Sequence, residues 1–311
     1  MKEKLKKIFS NTAVQNIGLI LLILFGATVL IYPDIAHWQS SRRHHAMMQT
    51  FSEGLEELEQ EIIDAHFDRA IRHNNNLDGI AAVDPFSVPD TFVAGSGIVL
   101  SMEYYDILNF NGIMGRIEIP RIGVNLPIFH GTSSEVLDRG VGHMSNTPFP
   151  IGGYGNHSIL SAHTGLASHR LFNDLPLLEV GDIFIVTILN ERFAYEVDQL
   201  NIVLPHEIES IYSDANHDWM TLVTCTPYGI NSHRYLVRGF RIPYIIDMAE
   251  HIEDITNNLN MRIFIITGFA KLFTITLIAI TIKDRKLTQE ARFDLQIEKE
   301  YELQFGKLAV G

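Results

Sequence analysis

The chain has 311 residues, 46% hydrophobic and 20% charged, a balance that excludes a disordered polymer and supplies apolar surface for a sizeable core. Its net charge of −13, with no cluster of Lys and Arg in the long polar middle, excludes a phosphate-binding surface, so no nucleic-acid partner is expected.

Residues 1–12 form a basic N-terminus with Lys2, Lys4, Lys6 and Lys7. Residues 13–32, from Ala13 to Tyr32, are apolar over a length that crosses a hydrocarbon core of about 30 Å at about 1.5 Å per residue. A cleavable signal peptide competes with a membrane anchor here. No small-x-small pattern comes before Pro33, which favours an uncleaved transmembrane anchor.

Residues 33–105 read as an extracellular helix and loop. Met48, Phe51, Leu55, Leu58, Ile62 and Ala65 recur at steps of three and four, which predicts one helix from His44 to about His73 with a single apolar stripe. The acidic stretch from Glu53 to Glu61 is the solvated face of that helix. Asn74, Asn75 and Asn76 end it, and a loop with Asp84-Pro85-Phe86 and Pro89 comes next.

Over residues 106–245 the pattern changes to short runs rich in Val, Ile, Phe and Tyr: Ile113–Ile119, Val124–Phe129, Ile183–Leu189, Arg192–Leu204, Met220–Cys225 and Tyr235–Arg241. They predict a mainly β barrel or sandwich with short helices at Ser133–Arg139 and Ala167–Leu175. Residues 246–262 form a juxtamembrane linker. A second apolar run, Ile263–Ile282, reads as a transmembrane helix although Lys271 near its middle costs about 2.5–3.5 kcal/mol on insertion scales. Lys283, Arg285 and Lys286 come directly after it, so residues 283–311 are expected in the cytoplasm with the N-terminus, and the middle outside the cell.

Cys225 is the only cysteine. In an exported domain a lone cysteine is either a buried inert thiol or a retained reactive one. It ends the run Met220–Cys225, Thr226–Asn231 is a turn sequence, and a second strand-like run occupies His233–Phe240. If the two runs pair, Arg234 comes beside the sulfur, where a cation stabilises a thiolate or a developing oxyanion. Arg238 shares its face and ranks second.

The proton donor for a leaving amine is sought among the histidines. His163 stands at a strand end, after Ser158–Ala162 and before Thr164-Gly165; His130, His143, His157, His169 and His233 remain alternatives. His44, His45, His66, His73, His206 and His217 read as surface residues. There is no HExxH, CxxC or EF-hand loop, so no metal and no cofactor is expected.

The segment Thr221-Leu222-Val223-Thr224-Cys225-Thr226-Pro227-Tyr228-Gly229-Ile230-Asn231-Ser232-His233-Arg234 resembles the TLxTC signature and the arginine-bearing strand of sortases, above all the class C, pilin-polymerising enzymes. A second block, from Gly142-His143 to Ser161-Ala162-His163-Thr164-Gly165-Leu166, resembles the surroundings of the family's catalytic histidine. Asp84-Pro85-Phe86 is similar to the class C lid motif. Thr164 departs from the pattern, since an arginine often stands there in class C.

The resemblance implies a sortase-like β-barrel and a cysteine transpeptidase, with Cys225 as nucleophile, His163 as general acid/base, Arg234 as oxyanion or substrate stabiliser, and Asp84 and Phe86 as the lid. It implies cleavage of an LPxTG-like motif between Thr and Gly through a thioester, then transfer to a pilin lysine amine on the outer face of a Gram-positive cell membrane. The implied partners are pilin subunits and membrane lipid. Two other readings stand beside it: a housekeeping sortase that joins proteins to cell-wall peptide, and a non-catalytic membrane-tethered β module in which Cys225 is inert.

Overall fold

The structure is a computed structural model that describes residues 12–56, 58–77, 84–86, 102–165, 170–211 and 213–244, with scattered residues between 268 and 297. It divides into two units, one of Met1–Tyr32 with Asn258–Gly311 and one of Pro33–Asn257. The first contains both apolar runs; many of their side chains, and much of 263–282 altogether, lie outside the described residues. Among the described residues no helix is long and apolar enough to cross a membrane.

The single helix expected from His44 to His73 is two helices. α1 runs Thr12–Glu56 and α2 runs Gln60–Asn75, with Glu59 in an extended conformation between them. That break resets the helical phase. Met48, Phe51 and Leu55 are buried on α1 as expected, but on α2 the buried residues are Ile63, Ala70 and Asn74, while Ile62 is 41% exposed. Asn74 does more than end a helix. Its amide donates to the Phe149 carbonyl at 3.2 Å and its carbonyl accepts from the Phe149 N–H at 2.7 Å, fixing α2 to the barrel.

The short helix α3, Met102–Asp106, leads into eight strands: β1 Gly115–Ile119, β2 Val124–His130, β3 Val141–His143, β4 His157–Ser161, β5 Ile183–Ile188, β6 Glu191–Val203, β7 Trp219–Thr226 and β8 His233–Ile242. They close into a barrel in the order β1-β2-β3-β4-β7-β8-β6-β5. Closure removes the exposed sheet edges that an open sheet of this size would leave. Pairs β2·β3 and β4·β7 are parallel, the rest antiparallel.

Ile117, Phe172, Phe184, Tyr195, Leu222 and Val237 are among the side chains that fill the core, each under 2% exposed. Burying a large apolar side chain contributes about 1.5–3 kcal/mol, which is why the Val/Ile/Phe runs end up here. A second, smaller cluster of Met144, Ile159, Ile208, Val223 and Leu236 lies to one side, with Phe86 and Val203 packed on it.

β3 is a strand that the sequence pattern does not predict. It has only three residues, and its Gly142 approaches the chain just after β2 so closely that a Cβ would meet the Gly131 carbonyl oxygen at 2.3 Å. The helix expected at Ser133–Arg139 is α4, Ser134–Arg139, with the Ser133 hydroxyl as its N-cap acceptor. The helix expected at Ala167–Leu175 does not form as such: residues 166–169 lie outside the described residues, and residues 171–174 are turns that lead into a 3₁₀ turn, Leu175–Leu177. Pro176 inside that turn lacks the N–H a longer helix would use.

Three histidines read as surface residues are not. His44 is buried and bonds the Arg139 carbonyl through Nε2 at 3.0 Å; His66 accepts from the Leu108 N–H; and His73 packs on Phe149 with ring centroids 4.9 Å apart.

Candidate active site

β7 and β8 pair so that Cys225 stands directly opposite Arg234, as the hairpin reading requires. The connecting turn closes through the N–H groups of Ile230 and Asn231 on the Pro227 carbonyl, at 3.0 and 2.9 Å. Gly229 and Asn231 hold φ values of 75° and 59°, the left-handed region that glycine enters freely and asparagine tolerates. On the far side of β8, Val203 of β6 pairs with Arg234.

The histidine comes from the other neighbour of β7. β4 runs parallel to β7 in the register Ile159↔Thr221, Leu160↔Leu222, Ser161↔Val223. Beyond the last pair the strands stay tied, with the Ala162 N–H donating to the Val223 carbonyl at 3.2 Å and the Thr224 hydroxyl to the Ala162 carbonyl at 2.8 Å. Two further residues along each strand are His163 and Cys225. One row across the barrel mouth therefore carries His163, Cys225 and Arg234. The loop after His163 is held by Asn173, whose Oδ1 accepts from the Gly165 N–H at 2.8 Å and the Thr164 hydroxyl at 3.1 Å.

Arg234 is 5% exposed, and all of its guanidinium nitrogens are engaged. Nε and Nη2 donate to the two carboxylate oxygens of Asp84 at 2.6 and 2.7 Å, while Nη1 donates to the carbonyls of Asn231 and His233 at 2.9 and 3.1 Å. Phe86 fills the space beside this pair. Its ring lies 5.1 Å from the Arg234 Cζ and 5.5 Å from the His163 ring.

Burial pushes the Cys225 thiol up to about 11; Arg234 pulls it down and Asp84 pushes it further up. With Asp84 in place the sulfur is a thiol near neutral pH, not a thiolate. Burial holds the His163 imidazole below its usual range, opposed by Asp138, whose Oδ1 is 3.7 Å from Nε2.

Arg238, the second-ranked cation, belongs to a different cluster. It pairs across β7 with Thr221, donates to both oxygens of Asp198 at 3.0 and 2.8 Å, and stacks 4.3 Å over Trp219. Of the alternative histidines, His130, His143 and His157 are buried hydrogen-bonding residues, held by the Ile107 carbonyl, the Pro148 carbonyl and the Thr221 hydroxyl. His233 opens β8, its Nδ1 2.9 Å from the Ser232 hydroxyl, and His169 lies outside the described residues. Among the described residues no group of three or more His, Cys, Asp or Glu is placed to hold a metal ion.

Asp138, Asn173 and Thr224 are the contributors that sequence reasoning does not find in these roles. Thr224 lies inside the TLVTC segment, so the motif marks its place without showing that its hydroxyl joins β7 to β4. Nothing in the spacing of Asp138 or Asn173 links either to His163.

Residues 117–242 match the sortase domain family. The chain is 32% identical over 117 residues to sortase A of Streptococcus agalactiae, a stretch covering 37% of this chain and 47% of that one, so it spans about half the length of that curated relative. Solved structures agree more fully. Sortase C-1 of Streptococcus pneumoniae superposes with a TM-score of 0.59 at 40% identity, covering 64% of this chain and 100% of that one. Sortase C-1 of Actinomyces oris gives 0.54 at 41% identity, covering 58% and 99%. With its barrel, its Cys–His–Arg row and 40% identity across the whole of a solved sortase C-1, the chain belongs to the sortase family and to its class C.

Proposed function

We propose that the chain is a membrane-anchored cysteine transpeptidase that cleaves an LPxTG-like sorting motif between Thr and Gly and joins the acyl half to a pilin lysine, building a pilus. The observation that carries this reading is the register that pairs Cys225 with Arg234 and puts His163, like Cys225, two residues beyond the last β4·β7 pair. Among the similar solved structures is one titled a pilus-related sortase C of Group B Streptococcus, which supports the pilin as substrate.

In the first step the Cys225 thiolate adds to the Thr carbonyl carbon, and Arg234 stabilises the oxyanion. The tetrahedral adduct collapses with its C–N bond broken, His163 gives a proton to the departing glycine amine, and a thioester remains. In the second step a lysine amine adds to that thioester, His163 accepts its proton, and the thiolate leaves an isopeptide behind.

Asp84 and Phe86 act as a lid in this scheme. Asp84 occupies the guanidinium that the oxyanion requires, and Phe86 stands between Arg234 and His163, so substrate enters only when the pair withdraws. A lid of this kind favours the pilin-building reading over the housekeeping one. The apolar runs at 13–32 and 263–282, each flanked by Lys or Arg on its expected cytoplasmic side, support anchoring of both ends in the cell membrane with the barrel outside.

The test is intact mass of the chain carrying Asp84→Ala and Phe86→Ala after incubation with an LPxTG-type peptide. An adduct equal to the acyl half, absent in the additional Cys225→Ala variant and released by hydroxylamine, is the expected result. A folded protein that forms no adduct and cleaves no peptide across several motif variants would leave the inert-thiol module as the better reading.

A further inference from the structure

We propose that Asp138 is a positioning residue for His163: its carboxylate, presented by α4 at the barrel mouth, holds the imidazole in one orientation and so governs proton movement at Cys225. This rests on the transpeptidase reading above and adds a fourth side chain to it.

The support is first geometric. Asp138 Oδ1 lies 3.7 Å from His163 Nε2, and it is the one charged side chain found within ion-pair reach of that ring among the described residues. The backbone on both sides of the contact is fixed. On the α4 side, Leu137 is 1% exposed, and Gly140 sits so close to β2 that a Cβ would meet the Pro127 oxygen at 2.8 Å and Phe129 Cε2 at 2.9 Å. On the His163 side, its carbonyl accepts from the Phe172 N–H at 3.2 Å, and Asn173 holds the next two residues.

The neighbours of Asp138 point elsewhere. The guanidinium of Arg139 stacks 4.7 Å over Phe129, and its carbonyl is taken by His44. α4 leads directly into β3, which pairs with β4, the strand that delivers His163. The carboxylate and the imidazole are thus presented from adjoining parts of one rigid piece.

The chemistry is set by the surroundings of the ring. Burial disfavours the imidazolium, Asp138 favours it, and an imidazolium is the form that protonates a leaving amine. Among the described residues, strand register carries Cys225 in the same row as His163, and Phe86 touches both the His163 ring and Arg234, which holds Asp84. At 3.7 Å the contact is longer than a hydrogen bond, and the Asp138 side chain is 59% exposed, so its worth to folding is small. A role in orientation and protonation is what remains for it.

Asp138→Asn and Asp138→Glu in the intact chain provide the test. His163 is titrated by the NMR signal of its ring C2–H in a Cys225→Ala background, and thioester formation from an LPxTG-type peptide is measured against pH in the Cys225 form carrying Asp84→Ala and Phe86→Ala. In D138N the His163 midpoint is expected to fall. The acid limb of kcat/KM moves to lower pH with it, and the plateau drops by about threefold to tenfold through kcat rather than KM. D138E restores both in part, and thermal stability is unchanged in either variant. An unmoved His163 midpoint in D138N, or an equal loss in D138N and D138E, overturns the proposal. If the chain carrying Asp84→Ala and Phe86→Ala forms no thioester across several motif variants, the transpeptidase reading fails, while the titration still decides whether Asp138 acts on His163.

Discussion

Asp84 closes both carboxylate oxygens on the guanidinium of Arg234, at 2.6 and 2.7 Å, with both side chains under 10% exposed. Burial is the main reason the Cys225 thiol sits high; within the pair Arg234 pulls it down, and the Asp84 carboxylate opposes that pull.

Removing that charge has a calculable sign. The thiolate is the reactive form, and with the thiol pushed up to about 11 only a very small fraction is ionised near pH 8. Asp84→Ala is expected to lower the thiol pKa, and with Phe86→Ala to uncover the sulfur as well. Alkylation by a bulky maleimide at pH 8 should accelerate by about tenfold or more in the double variant. Equal rates in wild type and double variant would remove the lid from the scheme.

Arg234 separates a movable lid from a rigid one. Breaking a buried ion pair by deleting one partner costs about 3–5 kcal/mol when the other charge stays buried. Asp84 lies on a loop, so in Arg234→Ala it is expected to swing into water and the loss of folding stability to fall below that range. Arg234→Lys keeps the charge but cannot make the two parallel bonds. Thioester formation should drop by about a hundredfold or more in both variants. Chemical denaturation and acylation rates check the two halves separately, and a full 3–5 kcal/mol loss would mean a lid that stays shut.

Buried histidines give the fold an acid limit. His143 is fully buried, its Nε2 donating to the Pro148 carbonyl and its Nδ1 accepting from the Tyr104 hydroxyl, both at 2.9 Å. Burial pushes it down to about 3, and His130 to about 4, against about 6.5 in an unfolded chain. The unfolded state therefore takes up protons first as pH falls. The stability contributed by these neutral rings is complete above pH 6.5 and is lost as pH falls toward 4 and then 3, by several kcal/mol in total. The urea midpoint should decrease steeply from pH 7 to 4.5. In His143→Gln the slope flattens, at a cost of about 1–3 kcal/mol at neutral pH. An unchanged slope would mean that His143 does not limit acid stability.

The hairpin of Cys225 and Arg234 is legible in the sequence because it is local: two β-rich runs, a Pro/Gly/Asn turn and strand parity suffice to bring the residues together. His163 stands out in the sequence by its strand-end position, with five other histidines left as alternatives, and family resemblance selects it. What carries it into register with Cys225 is the parallel β4·β7 pairing, and pairing between distant strands leaves no mark in either one's sequence. The helix before the barrel shows the same limit in another form. A stripe of constant period from Met48 to Ala65 fits one helix, but a break at Glu59 shifts the phase and exchanges Ile62 for Ile63 in the core. Short β3 is hidden because three residues containing a glycine carry no alternation.

Thr224 precedes Cys225, and its hydroxyl donates at 2.8 Å to the carbonyl of Ala162, the residue before His163. Backbone bonds alone cannot make this link, because the Thr224 side chain itself reaches across to β4. It is fully buried, so the hydroxyl has no water to replace the bond. Thr224→Val keeps the β-branched shape but leaves the Ala162 carbonyl without this donor, a loss of about 1–3 kcal/mol in folding stability. Catalysis should suffer beyond that loss, because a shift of a few tenths of an ångström between β4 and β7 moves the imidazole directly against the sulfur. At a temperature where the variant is fully folded, thioester formation is expected to fall by about tenfold, with peptide affinity nearly unchanged. Thr224→Ser, which restores the hydroxyl, should recover most of the rate. If Thr224→Val acylates at the wild-type rate while folded, the link between the two strands serves stability alone.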